Sequence, residues 1–133
     1  MSDIRNRTAL DMTTEEWKAY NPLLAIRQNQ ATTRELLVKR RRRAIRVARR
    51  AAGLLRKEFS AGRVVLFGSL ANRDGFTLWS DIDLAAWGIP PDQFYTAVAT
   101  ITGLSAEFKI DLIDPEFCKL SLRNAIEHAG VEL

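Results

Sequence analysis

The chain has one cysteine and one histidine among its 133 residues, and each shortage removes a class of chemistry. Cys118 alone can neither close an internal disulfide nor build a thiolate metal site. A Ser-His-Asp or Cys-His arrangement would have to use His128, which sits near the C-terminus in a helical pattern. There a cation suited to a helix end is the simpler explanation. Zinc chemistry has the same two residues to draw on, too few for its usual ligand sets. No run approaches the roughly 18 apolar residues of a membrane span. Met1 to Leu10 is polar and mixed in charge, without the apolar stretch of a secretory leader. The expectation is a cytoplasmic protein with no membrane association, whose chemistry comes from carboxylates, hydroxyls or cationic side chains.

What is present begins with charge. The net charge is +4, but eleven Lys/Arg and a single acid, Glu35, fall between Arg34 and Lys57. That segment carries +10 and the remainder −6, so a basic arm is attached to an acidic body. A hydrophobic content of 47% is enough to bury one ordinary core at this length.

Thr13-Thr14-Glu15-Glu16 reads as a capping box opening a short helix to about Ala19. Thr32-Thr33-Arg34-Glu35 reads as a second. Beyond it Leu37, Ala44, Ala48, Ala51, Leu55 and Phe59 recur at helical spacing, closed by Ser60-Ala61-Gly62. The sequence leaves Pro22 to Ala31 open between helix and loop. Arg63 to Phe67 predicts a buried strand and Asp81 to Trp87 a second, with Asn72-Arg73-Asp74-Gly75 as turn chemistry between them. Pro90-Pro91 opens a helix from about Asp92 to Thr102. Glu107 to Ile113 alternates and predicts a third strand. Asp114-Pro115 then reads as cap and first residue of a last helix, about Glu116 to Ala129, ended by Gly130. The expected fold is α/β or α+β, a small mixed sheet with packed helices. Residues 1–60 are expected as an N-terminal helical arm and 61–133 as the domain proper.

Asp81 and Asp83 are two apart on a strand, so both carboxylates face one way. Asp111 lies on the third strand between Ile110 and Leu112. An acid within buried-strand sequence is costly unless it is paired or holds a cation. Three converging carboxylates suit a hard cation, Mg²⁺ or Mn²⁺. Taken singly, the acids admit a plainer reading as a strand-edge cap, an arginine partner and a half-exposed side chain. Phe67-Gly68-Ser69, at the end of a strand, adds a second feature: glycine lets backbone N–H groups approach a phosphate, and the Ser69 hydroxyl can bond a phosphate oxygen.

Strand-Gly68-Ser69, then Asp81-Ile82-Asp83-Leu84, then Ile110-Asp111-Leu112-Ile113 resembles the polymerase-β-like nucleotidyltransferase superfamily, most closely its minimal (MNT) domains. The likeness covers about Gly62 to Ala129. It implies a nucleotidyltransferase fold in which Asp81 and Asp83 bind metal and Asp111 completes the site and helps activate an acceptor hydroxyl. Gly68 and Ser69 would receive the triphosphate of ATP. Eleven residues separate Ser69 from Asp81, one more than in many minimal members, and the additional one is expected in the loop from Asp74 to Trp79. Minimal domains of this size resemble the antitoxin of MNT/HEPN toxin–antitoxin pairs, which restrains an RNase partner by AMPylation of a tyrosine or by binding it.

Two function classes therefore stand at this point. One is Mg²⁺-dependent transfer of AMP to a hydroxyl on a partner macromolecule, a HEPN-type toxin. The other is a non-catalytic binding module, with nucleic-acid binding through Arg40 to Arg43 as a variant of it. Asp114 is expected as a helix cap, and Arg73 as a further candidate beside the phosphates. Trp79 is expected to cover the sheet, while Tyr95 and Trp87 are assigned to packing.

Overall fold

A computed structural model describes residues 22–72 and 75–133, with only the backbone described for 22–29. The expected helix at Thr13 to Ala19, and Arg73 and Asp74 of the turn, lie outside the described residues. The chain divides into two compact units, Met1–Leu36 and Leu37–Leu133. Residues 22–36 are helical; everything below concerns the second unit.

Helix α1 runs from Pro22 to Phe59. Pro22 stands at its first position, where a missing N–H costs nothing. Thr32 and Thr33 consequently lie inside the helix and not at its start: the four-residue signature is local, and a helix already under way overrides it. The expected stripe is the buried one, with Ala44, Ala48, Ala51 and Leu55 fully inaccessible and Phe59 nearly so. Four small side chains in that stripe, counting Ala52, let the helix lie close on the sheet. Ser60 ends it in the left-handed region at φ 62°. The Ala61 N–H then bonds back to the Leu55 carbonyl at 3.1 Å, closing the helix end without glycine. The stripe from Leu37 onward belongs to the second compact unit.

Four strands form one mixed sheet in the order β3-β2-β1-β4. β1 (Arg63–Phe67) pairs antiparallel with β2 (Ile82–Trp87), and β2 pairs parallel with β3 (Ile110–Ile113). A parallel pair needs a crossover, and α2 (Phe94–Thr102) supplies it. Helix α3 (Leu120–Ala129) returns the chain to a two-residue edge strand, β4 (Val131–Glu132), antiparallel to β1, which the sequence had not suggested.

Strand periodicity sorts the side chains onto two faces. Val64, Leu66, Ile82, Leu84, Ala86, Ile110 and Leu112 meet α1 and α2 in the larger core. On the other face Val65 and Ala85 meet Ile126 of α3, with Phe67, Trp87, Ile113 and Leu122 around them. Asp83 and Asp111 belong to this second face.

Several boundaries move for identifiable reasons. β3 starts at Ile110 because the Ser105 hydroxyl accepts the N–H groups of Glu107 and Phe108, both at 3.1 Å, holding that stretch in a turn. Asp114 caps as expected, accepting the Glu116 N–H at 3.0 Å, but what it caps is a single turn, Pro115–Phe117, before α3 begins at Leu120. Two aromatics depart from expectation. Trp79 is 83% exposed and does not cover the sheet, and Tyr95 is 84% exposed and does not pack in the core. Trp87 does pack, with the Arg63 guanidinium 4.4 Å above its ring. His128 is exposed in the last turn of α3, its Nδ1 2.8 Å from the Asn124 carbonyl oxygen.

Candidate functional site

The sheet register decides where the acids go. Phe67 lies opposite Asp83, and Asp83 opposite Asp111, so the three form a row across β1, β2 and β3 on one face. Two carboxylates in direct register on parallel strands sit about one strand spacing apart, roughly 4.8 Å. Asp81 precedes β2 by one residue and is half-buried. It remains close enough for its charge to act on Asp83. The Asp83 carboxyl is held above its usual range, first by burial, then by the negative charges of Asp111 and Asp81. A group in that position gains from any cation that approaches.

A cation is in fact supplied by the chain. Lys109 is two residues before Asp111, just ahead of β3, its Nζ 3.7 Å from Asp111 Oδ1, and it opposes the rise at Asp83. Sequence reasoning did not single out this residue. The period-two spacing from Asp111 was the signal that would have found it.

The Gly68-Ser69 turn leaves the end of β1 beside the same carboxylate. Gly68 opens a single 3₁₀ turn, Gly68–Leu70, with φ +74°. That angle is one reason for glycine, and the second is space: a Cβ at this position would overlap the Asp83 carboxylate oxygen Oδ2. Leu70, fully buried, pins the turn to the larger core, and the Asn72 N–H closes on the Gly68 carbonyl at 3.3 Å. Beside the turn lies an open pocket of about 420 Å³, lined by Phe67, Gly68, Ser69, Asn72 and the α3 residues Leu122, Ala125 and Ala129. Its size falls within the range of small-ligand sites.

The loop leading into Asp81 is fixed by its own hydroxyls. The Thr77 N–H donates to Ser80 Oγ at 2.8 Å, and the Trp79 N–H to Thr77 Oγ1 at 3.2 Å. This turn presents the exposed Trp79 two residues before the first acid.

By chemistry the donor set suits a hard divalent cation: carboxylate oxygens, one of them made unfavourably anionic by its neighbours. By position it is incomplete. Among the described residues no group of three or more His, Cys, Asp or Glu side chains is gathered closely enough to hold a metal ion. Asp83 and Asp111 are side by side and Gly68 abuts Asp83, while Asp81 stands within electrostatic reach.

Three of the four arginines in the Arg40 to Arg43 run are occupied within the body. Arg40 donates to the Ser80 carbonyl at 3.2 Å and lies 4.4 Å over the Phe108 ring. Arg41 donates to the Leu70 carbonyl at 3.4 Å. Arg43 grips Glu107 through two nitrogens, at 2.8 and 2.7 Å, which lowers the Glu107 carboxyl below its ordinary range. Arg40 and Arg41 thus tie α1 to the two ends of the segment that links Ser69 to Asp81.

Compared with models of known protein families, and with the curated proteins, the chain has no match. Among the described residues no helix is long and apolar enough to cross a membrane.

Proposed function

We propose that this chain is a divalent-metal-dependent nucleotidyltransferase that moves AMP from ATP to a hydroxyl on a partner macromolecule. One observation carries the reading. Asp83 and Asp111 stand in register on one sheet face while Gly68, the first residue of the Gly-Ser turn, lies against Asp83. That is the juxtaposition such a reaction requires, anionic ligands beside a backbone that tolerates a polyphosphate.

In this reading Asp81, Asp83 and Asp111 are the ligands of Mg²⁺ or Mn²⁺. When bound, the ion would neutralise the triphosphate and favour departure of pyrophosphate. The Gly68 turn and the Ser69 hydroxyl take the phosphates, and Lys109 adds a positive charge at the rim of the same face. Asp111, half-exposed on β3, accepts the proton of the attacking hydroxyl. The bond formed is from that oxygen to the α-phosphorus, and the bond broken joins the α-phosphorus to the bridging oxygen of pyrophosphate. Following the resemblance, the acceptor is a tyrosine of a HEPN-type RNase, and the chain acts as its antitoxin.

The test is transfer of label from α-labelled ATP with Mg²⁺ to a co-purifying partner. Transfer by the native chain, lost in Asp81→Asn/Asp83→Asn, supports the reading; transfer that survives in that variant overturns it. A second reading, a module that neutralises its partner by binding alone, is favoured by the carboxylates not being gathered into a three-ligand group. It predicts that the same double variant still protects against the partner.

A further inference from the structure

We propose that the outer face of α1, from Lys39 to Lys57, is a nucleic-acid-binding ridge that follows a phosphodiester backbone. Lys39, Arg42, Arg46, Arg50 and Lys57 recur at three- and four-residue steps with Gly53 between the last two, and all are exposed. At 3.6 residues per turn they make one straight line, roughly opposite the buried alanine stripe, with Arg49 beside it. The line is about 27 Å long, its first four cations about 5–6 Å apart and the last about 10 Å further on, beyond Gly53.

These side chains differ from their neighbours in having nothing to do within the fold. Arg40, Arg41 and Arg43 are held by Ser80, Leu70 and Glu107. No ion pair or hydrogen bond engages Lys39, Arg42, Arg46, Arg49, Arg50 or Lys57 among the described residues. Five or six unpaired cations on one helix repel one another and add nothing to stability, so their use is outside the chain.

The composition of the ridge favours a phosphate backbone over an acidic protein. Protein interfaces are centred on buried aromatic or aliphatic anchors. Between Lys39 and Phe59 no large apolar side chain is exposed. Backbone contacts to nucleic acid need only charge and close approach. Gly53 fits that need: it sits on the ridge, and a Cβ there would meet nothing within 4 Å, so packing does not require a glycine that costs an exposed helix about 1 kcal/mol. The absent side chain leaves a low point where a sugar-phosphate strand can lie against the helix. The proposal is independent of nucleotidyl transfer, since it uses none of the three aspartates.

The experiment is fluorescence anisotropy of a labelled single-stranded uridine oligomer of about 20 nucleotides with the full chain, across about 50 to 200 mM salt. Four to five phosphate contacts give a log–log slope near −3, a loss of affinity of roughly 60-fold over that range. Arg42→Gln/Arg46→Gln/Arg49→Gln/Arg50→Gln should flatten the slope while keeping the thermal midpoint. The corresponding four Arg→Lys changes should preserve it, because point charges serve phosphates as well as guanidinium does. No binding by the native chain at the lowest salt overturns the proposal, as does an unchanged slope in the glutamine variant. Equal competition by a polyglutamate peptide of matched charge overturns it in favour of an acidic protein partner.

Discussion

Replacing Asp83 by asparagine should make the metal-free protein more stable, and the size of the effect follows from the register. Asp83 and Asp111 face each other across neighbouring strands, about 5 Å apart, and unit charges at that distance repel by roughly 3 kcal/mol at an effective dielectric of 20. Both side chains are part-exposed and Lys109 offsets some of the charge, so solvent and salt reduce the net penalty to about 1 kcal/mol. The asparagine variant should therefore melt higher at pH 7, by about 4–8 °C for a domain of roughly 100 residues. The pH dependence has a fixed sign. A carboxyl whose folded pKa is raised binds more protons folded than unfolded, so its contribution is intact below the ordinary aspartate value of about 3.9 and falls as pH rises through the folded value. The gap between variant and native protein should thus be wide at pH 7 and close near pH 3.5. Thermal melts followed by circular dichroism at both pH values measure it. Adding Mg²⁺ at about ten times its dissociation constant should stabilise the native chain by about 1.4 kcal/mol and leave the variant unmoved, reversing their order. An asparagine variant no more stable at neutral pH, or a gap of equal size at both, would refute the argument that these acids are mutually strained.

Other expectations follow from single contacts. Gly68→Ala forces a non-glycine residue to positive φ, costing about 1–2 kcal/mol, and drives Asp83 from its position; urea unfolding and label transfer should both fall. Gly53→Ala fills open space on an exposed helix and should raise the urea midpoint by the equivalent of about 0.5–1 kcal/mol. Leu84→Ala, in the middle of the larger core, should cost about 2–5 kcal/mol by the same measurement. Arg40→Gln should lower the melting temperature through lost contacts with Ser80 and Phe108, whereas Arg42→Gln should leave it unchanged.

The parts of the fold that were legible are those governed by periodicity. Ala44 to Phe59 on α1, and the alternation that puts Asp83 and Asp111 on the face opposite Leu84 and Leu112, could be counted off the chain. Local signatures fared worse where longer structure overrode them: Thr32-Thr33 is a capping motif that the helix from Pro22 runs straight through. β4 carries only two residues, too few for a pattern, and is held by its register with β1. Pairing between residues far apart was also invisible. Nothing in the run Arg40 to Arg43 marks three of its members for internal partners and one for solvent, since that depends on where Ser80, Leu70 and Glu107 arrive. At the candidate site spacing alone puts Asp83 and Asp111 on strands and Gly68-Ser69 at a strand end, whereas Lys109 stands outside any motif and gains its place only from the fold.

The parallel crossover between β2 and β3 has a consequence for how the chain matures. Asp83 and Asp111 are separated by the whole of α2, so they meet only after a long loop has been closed, and until then the Gly68 turn lies against Asp83 alone. During synthesis the basic helix emerges before β2 and β3, so the acidic row is completed after it. For that interval the nascent chain carries the exposed Lys and Arg side chains of α1 without the paired carboxylates of β2 and β3.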